Sequence, residues 1–341
     1  MLEHYWGVPL NSPDYFNTTI SHRAQFEYFG LSKLSNQLIF FYDGHLRLHQ
    51  GPEYAVELIT SAARQTGRLP VLCLDGNPCD ADRYHQELSK HLDIKDFFIF
   101  HPDIRPQVSN QPNMAPWPSW WFFQLMEHNH QLNQPKKHRV SFLSGSSRYH
   151  RVKLLRDIKS YINDQDVIIV NQIGNFKDYL PTGWWDELPW TNRPDLFDYV
   201  GTSGYPPKME QNNHPAFAAC VNINGETWFH ESSKIHDQVL LSEKTWKAYR
   251  SGCLVINYGP EESTTTLKDL GFAIWDEFDQ VGTHEHKADL IVKLMQRDDI
   301  EDLYQKNLDM VNHNVAWFNN PSAIKKVTES AVVKLENLLT Q

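Results

Sequence analysis

The stretch that decides the fold is LSEKTWKAYRSGCLVINYG, residues 241–259, because it predicts a helix that leads into a buried strand. Ser242 can cap the start of the helix, Trp246 contributes to its inward face, and Gly252 ends it. The run 253–256 is short and wholly apolar, as strands of parallel sheets are, and a Gly-Pro turn follows it. We therefore expect an α/β domain whose ligands meet the ends of strands and helices.

The same alternation of strands and helices occurs in both halves of the chain. Short apolar runs separated by helical patterns lie at residues 37–42, 69–74, 97–100, 140–143, 166–170 and 219–223. Such alternation predicts parallel sheets with helical connections. We divide the chain into an N-terminal Rossmann-like domain over 1–135, a second domain over 136–320 and a C-terminal helix over 321–341.

Three motifs in the second half resemble a known family. A Ser-Glu-Lys-Thr-Trp-Lys helix start at 242–247 precedes a Gly-Cys-Leu-Val-Ile-Asn-Tyr-Gly strand at 252–259, and Leu-Lys-Asp-Leu-Gly-Phe follows at 267–272. Their order resembles the donor-binding half of GT-B glycosyltransferases and is most similar to the alpha-1,3-fucosyltransferase-like group. The resemblance covers residues 139–320. It implies an α/β fold of two Rossmann-like domains facing a cleft, with the acceptor on the first domain and the nucleotide-sugar donor on the second.

Five residues of the second half are predicted to bind the donor: Arg148, Arg151, Glu226, Glu243 and Lys244. The arginines follow a Gly-Ser-Ser turn between a strand and a helix, where backbone N–H groups and basic side chains suit a diphosphate. Glu243 and Lys244 stand at the start of the next predicted helix. Glu226 follows a strand and resembles the acid that orients sugar or ribose hydroxyls in related transferases. A solvated basic turn and a solvated loop acid are the alternative interpretations.

Transfer with inversion of the sugar centre needs a base that takes the proton of the acceptor hydroxyl. Asp43, at a predicted strand end in the first half, is the first candidate, and His45, Glu53 and Asp75 are the others. The chain contains 17 histidines but no His-Glu-x-x-His or comparable ligand spacing. We therefore predict a metal-independent enzyme without a cofactor, for which the nucleoside diphosphate sugar is the co-substrate.

Composition sets the class of protein and its partners. The chain has 341 residues, of which 40% are hydrophobic, so two packed cores are expected. A formal net charge of −10 argues against a nucleic-acid partner. No stretch reaches the roughly 20 apolar residues of a membrane span, and no apolar leader opens the chain. We therefore expect a cytoplasmic protein without a transmembrane segment.

These observations predict a glycosyltransferase, hexosyl- or fucosyltransferase-like, that transfers a sugar from a nucleoside diphosphate sugar to a glycan or other hydroxyl acceptor. Two alternatives stay open. A nucleotide-sugar or glycan binding protein would keep the same fold without turnover. A modified-base DNA glycosyltransferase would use the same donor chemistry on a nucleic acid, which the acidic composition disfavours.

Overall fold

The structure is a computed structural model that describes residues 28–34, 36–42, 52–74, 79–105, 111–119, 121, 125, 135–144, 149–170, 215–226 and 239–340. The chain divides into two compact units, one formed by Met1–Met126 with Pro321–Gln341 and the other by Glu127–Asn320. The sequence predicts the domain boundary after residue 135. Residues 126–134, which precede it, lie outside the described residues, so this boundary stays a prediction.

The first unit contains a four-stranded parallel sheet in the order β1-β2-β3-β4. Its elements up to the last strand are β1 (Leu38–Tyr42), α1 (Pro52–Thr66), β2 (Leu69–Cys73), α2 (Cys79–Leu88), β3 (Phe98–His101) and β4 (Met114–Pro116). Apolar residues of both helices pack against one face of the sheet, which explains why its strands are almost wholly apolar. The sequence did not predict β4, because a Pro-rich stretch suppresses the strand pattern. Its place at the sheet edge accommodates Pro116.

The second unit contains another four-stranded parallel sheet, in the order β6-β5-β7-β8. Its elements are β5 (His138–Ser144), α3 (Tyr149–Ile158), β6 (Val167–Val170), β7 (Ala219–Gly225), α4 (Glu243–Arg250), β8 (Leu254–Tyr258), α5 (Glu262–Asp269), α6 (His284–Met295), α7 (Ile300–Lys306) and α8 (Leu308–Phe318). Buried residues of α3, α6 and α7 form a continuous core with strand residues of this sheet. Together the two sheets confirm the predicted α/β class.

The last helix, α9 (Pro321–Leu339), belongs to the first unit. Ala331 and Leu335 are fully buried against strand residues of the first sheet. The Nζ of Lys334 donates to the backbone carbonyl of Met114 at 3.1 Å, which fixes the helix against β4. Helix α9 begins at Pro321, a residue whose missing N–H suits the first helical position.

The stretch at 241–259 folds as its pattern predicts. Ser242 caps α4 by accepting the N–H of Lys244, and Gly252 follows the helix with a φ of 69° before β8 begins. Trp246 is buried with 1% of its surface exposed. No described helix is long and apolar enough to cross a membrane.

Candidate functional site

The order of the second sheet reverses direction at β5. The chain moves outward from β5 to β6 and then returns to the other side of β5 to form β7. The carboxyl ends of β5 and β7 therefore lie at a topological switch point, where ligands of open α/β sheets bind. Glu226 follows β7 directly, and the predicted basic turn at 145–148 follows β5.

Glu226 is held at this edge by its backbone and by one side-chain oxygen. Its N–H donates to the carbonyl of Tyr258 at 3.0 Å, and its carbonyl lies 3.2 Å from His150 Nε2, which must donate because a carbonyl only accepts. Its Oε1 accepts from the N–H of Ser242 at 3.1 Å and from Thr245 Oγ1 at 2.6 Å. Oε2 is buried and accepts no hydrogen bond from the part of the chain that the structure describes.

Gly259 lets β8 turn close to this carboxylate. A Cβ atom at Gly259 would lie 2.8 Å from the Cβ of Glu226, a separation that real side chains do not tolerate, and 3.5 Å from Ser263 Oγ. The start of α5 and the end of β7 thus approach each other across a glycine. Any larger residue at 259 would displace Glu226.

The start of α4 supplies positive charge next to Glu226. Lys244 has 7% of its surface exposed, and its Nζ donates to Ser242 Oγ at 3.3 Å, so the ammonium group lies beside the helix cap. Helix N-termini carry free N–H groups and a partial positive charge that attract anions. Glu243 is the first residue of the helix, but its side chain lies outside the described residues.

The second basic group comes from the start of α3. Arg151 is among the largest fully buried side chains of the protein, with 1% of its surface exposed. The preceding residue, His150, contacts the Glu226 carbonyl through its ring. The backbone carbonyl of His150 accepts a hydrogen bond from the Tyr258 hydroxyl at 3.1 Å. Arg151 therefore lies on the turn of helix that adjoins the end of β7. Arg148 lies outside the described residues.

A buried polar network holds the Glu226 carboxylate in place. Thr245 Oγ1 lies 2.9 Å from Asn257 Oδ1 as well as 2.6 Å from Glu226, and its single proton serves one acceptor at a time. Asn257 Nδ2 donates to Asp279 at 3.1 Å, and this contact fixes the orientation of the amide because a carboxylate only accepts. The network thereby connects the Glu226 carboxylate to the loop that carries Asp279.

A buried ion pair anchors this network. Lys287 and Asp279 both have 0% of their side-chain surface exposed, with Nζ and Oδ1 3.5 Å apart. Lys287 Nζ also donates to the Asn257 carbonyl at 2.8 Å and to Thr264 Oγ1 at 3.0 Å. Burial lowers the pKa of Lys287, and Asp279 opposes that shift. The pair joins the end of β8, the start of α5 and α6.

The structure brings four of the predicted donor-binding positions to one sheet edge: Arg151, Glu226, Glu243 and Lys244. The candidate base Asp43 lies outside the described residues, as do His45 and Asp75, and Glu53 is placed only as a backbone position in α1. Among the described residues, no group of three or more His, Cys, Asp or Glu side chains could hold a metal ion.

Sequence reasoning missed the residues of the buried network: Thr245, Asn257, Asp279 and Lys287. One signal was available. The buried positions of α6 include Ala288, Ile291, Leu294 and Met295 at helical spacing, and Lys287 lies on the same buried face. A charged residue at an inward position needs a buried partner, which Asp279 provides.

Comparison with known proteins gives structural likenesses only. No protein-family model matches the chain, and no curated protein is detectably similar in sequence. A DNA-modifying beta-glucosyltransferase, solved with and without uridine diphosphoglucose, is 12% identical, with 94% of this chain and 95% of that chain covered and a TM-score of 0.43. Os79 from O. sativa, in complex with UDP, is 14% identical, with 95% and 84% covered and a TM-score of 0.42.

A third structure, T4 phage BGT in complex with UDP and Mn²⁺, is 13% identical, with 78% of this chain and 73% of that chain covered and a TM-score of 0.37. At such identities and TM-scores, the function of the chain has to be inferred from its own site.

Proposed function

We propose that the protein is a glycosyltransferase that moves a hexose or deoxyhexose from a nucleoside diphosphate sugar to a glycan or other hydroxyl acceptor. One observation carries the proposal: the Oε2 atom of Glu226 is buried at the switch point of a parallel sheet without a hydrogen-bond donor among the described residues. Buried polar groups in proteins are nearly always paired. A ligand hydroxyl would supply the missing donor, as a sugar or ribose can.

The basic groups beside Glu226 suit the diphosphate of the same ligand. Lys244 lies at the start of α4, where the helix adds its own partial positive charge, and Arg151 lies at the start of α3. Arg148 and Glu243 are proposed to complete this site. A fucosyltransferase-like preference for the donor sugar is proposed from the sequence motifs at 242–272 alone.

In the proposed reaction Asp43 takes the proton of the acceptor hydroxyl. The acceptor oxygen then forms a bond to the anomeric carbon, while the bond from that carbon to the diphosphate oxygen breaks. The nucleoside diphosphate leaves with the bonding electrons. Lys244 and Arg151 would stabilise the negative charge that develops on it.

The experiment that tests the function is calorimetry with UDP, GDP, CDP and ADP, followed by donor hydrolysis and transfer assays with sugar conjugates of the nucleotide that binds. Binding of none of the four would contradict the proposal. Binding without hydrolysis or transfer would favour the non-catalytic binding protein, and transfer only to a DNA acceptor would favour the modified-base enzyme.

Lys244→Met is expected to weaken binding of that nucleoside diphosphate by about 10- to 100-fold, because a charge-assisted contact to the phosphates is lost. Lys244 is preferred to Arg151 for this test, since Arg151 is almost fully buried and its removal would also disturb packing. The control is Lys268→Met, which removes an exposed lysine that pairs with Asp276 at 2.6 Å on the surface. If calorimetry gives equal affinities for the two variants, Lys244 does not bind the nucleoside diphosphate.

Transfer is expected to survive treatment with EDTA, since the proposed site neutralises the diphosphate with side chains and a helix start. The measurement is the transfer rate before and after chelation, with Mg²⁺ and Mn²⁺ added back separately. A rate that chelation abolishes and either ion restores would show that the reaction depends on a metal.

A further inference from the structure

The central strand β7 carries an unusual buried polar row. Its sequence alternates between apolar and polar residues, so that Asn222, Asn224 and then Glu226 face one side of the sheet. All three have 0% of their surface exposed. Strands inside a parallel sheet are normally apolar on both faces. The row therefore needs an explanation other than packing.

The members of this row differ in their hydrogen bonds. Asn222 Nδ2 donates to Ser141 Oγ at 2.6 Å, so this amide is held within the fold. Neither the Oδ1 nor the Nδ2 of Asn224 has a partner among the described residues. The same holds for Glu226 Oε2 and for Ser263 Oγ at the start of α5. Burying such groups without partners costs stability, which indicates that something else satisfies them.

These unpartnered groups lie together. Asn224 is two residues before Glu226 on the same face, about 6.6 Å along a parallel strand. Ser263 Oγ and Glu226 Cβ approach the same side of Gly259, at 3.5 and 2.8 Å from the position that a Cβ atom would occupy there. The cluster lies at the carboxyl end of β7, one of the two strands that form the switch point.

The chemistry of the cluster selects a class of ligand. It offers a carboxylate that accepts, an amide that both donates and accepts, and a hydroxyl that does either. Neighbouring hydroxyls of a ribose or a pyranose match this set, because each can donate and accept at once. A phosphate does not, since it would place negative charge against Glu226.

We propose that Asn224 and Ser263 extend the Glu226 site and bind the hydroxyl-rich part of the nucleotide sugar, directly or through one ordered water. The inference rests on the proposed function and makes Asn224 a specificity-determining residue for the donor. A buried amide that a ligand satisfies is retained despite its cost to the fold. Function and stability are therefore expected to oppose each other at this position.

The test is Asn224→Leu, a substitution of similar size that removes both unpartnered atoms. The variant is expected to unfold at the same or a higher temperature than the parent, because no hydrogen bond within the described fold is lost. Its affinity for the nucleoside diphosphate or its sugar conjugate is expected to fall by about tenfold or more. If Asn224→Leu weakens binding of the nucleotide but not of its 2′-deoxy analogue, Asn224 contacts the ribose. If it weakens binding of the sugar conjugate alone, Asn224 contacts the transferred sugar.

Asn222→Leu is the matched control on the same strand and face. It should lower the unfolding temperature, since the buried hydrogen bond from Asn222 Nδ2 to Ser141 Oγ is lost, and should leave affinity unchanged. Ser263→Ala is a second, milder variant that keeps the proposal testable if Asn224→Leu fails to fold, and it should weaken binding by roughly two- to tenfold.

Unchanged affinity in Asn224→Leu, or a loss of affinity that only accompanies lost stability, would overturn the inference. If Asn224→Leu does not fold, unchanged affinity in Ser263→Ala has the same consequence. The proposed function is judged separately, by whether the parent protein binds a nucleoside diphosphate and whether Lys244→Met weakens that binding.

Discussion

Asp43→Asn is expected to lower sugar transfer by about 10²–10⁴-fold while leaving donor affinity nearly intact, because it removes the proposed general base without changing side-chain size. In the sequence, Asp43 comes directly after Tyr42, the last residue of a strand in the first parallel sheet. Functional residues of open α/β sheets lie at such ends. The proposed donor-binding positions, in contrast, all belong to the second unit.

The measurement compares steady-state transfer with donor affinity from calorimetry in the same variant. Glu243→Gln is the matched comparison, since the same type of change on the proposed donor side should weaken donor binding first. Transfer at the parental rate in Asp43→Asn would place the base elsewhere. His45, Glu53 and Asp75 would then be the next variants.

Much of the second sheet could be predicted from the sequence, because helix ends and buried strands are determined by residues close together in the chain. Ser242 and Gly252 mark the two ends of α4 through capping and a left-handed backbone, and both effects involve only neighbouring residues. The apolar run of β8 likewise reflects burial on both faces of a parallel sheet. Glu226 was singled out by its place after such a strand and by its resemblance to an acid of related transferases, and the structure puts it directly after β7.

The contacts that hold Glu226 could not be predicted in the same way, because they join distant positions. Thr245 and Asn257 are 12 residues apart, and Asn257 and Lys287 are 30 residues apart. Which polar side chains meet depends on how two strands and three helices pack. Periodicity and capping do not contain that information.

The polar row of β7 shows a second limit. Its alternation of Asn with Val and Ile is visible in the sequence, and alone it would suggest a strand with one solvated face. The parallel sheet buries both faces instead. Only the sheet order reveals that Asn224 is a buried polar residue that requires a partner.

Lys287→Met is expected to lower the free energy of unfolding by about 3–5 kcal/mol, the usual cost of removing one partner of a buried ion pair. Asp279 would keep its bonds from Asn257 and Thr264 but lose its counter-charge, and the Asn257 carbonyl would lose a donor at 2.8 Å. Urea denaturation measures the change, and the exposed Lys268→Met serves as the control, with an expected effect of only about 0–1 kcal/mol.

The double variant Lys287→Met with Asp279→Leu separates charge from packing. Removing both charges is expected to recover part of the lost stability, because a buried ion pair contributes little beyond a well-packed apolar pair of similar volume. Nucleotide affinity is expected to fall in the double variant even so, because it lacks the Asp279 carboxylate that accepts from Asn257 and so orients the amide next to Thr245 and Glu226. If the double variant binds the nucleotide as tightly as the parent does, the ion pair supports the fold alone and has no part in positioning the Glu226 carboxylate.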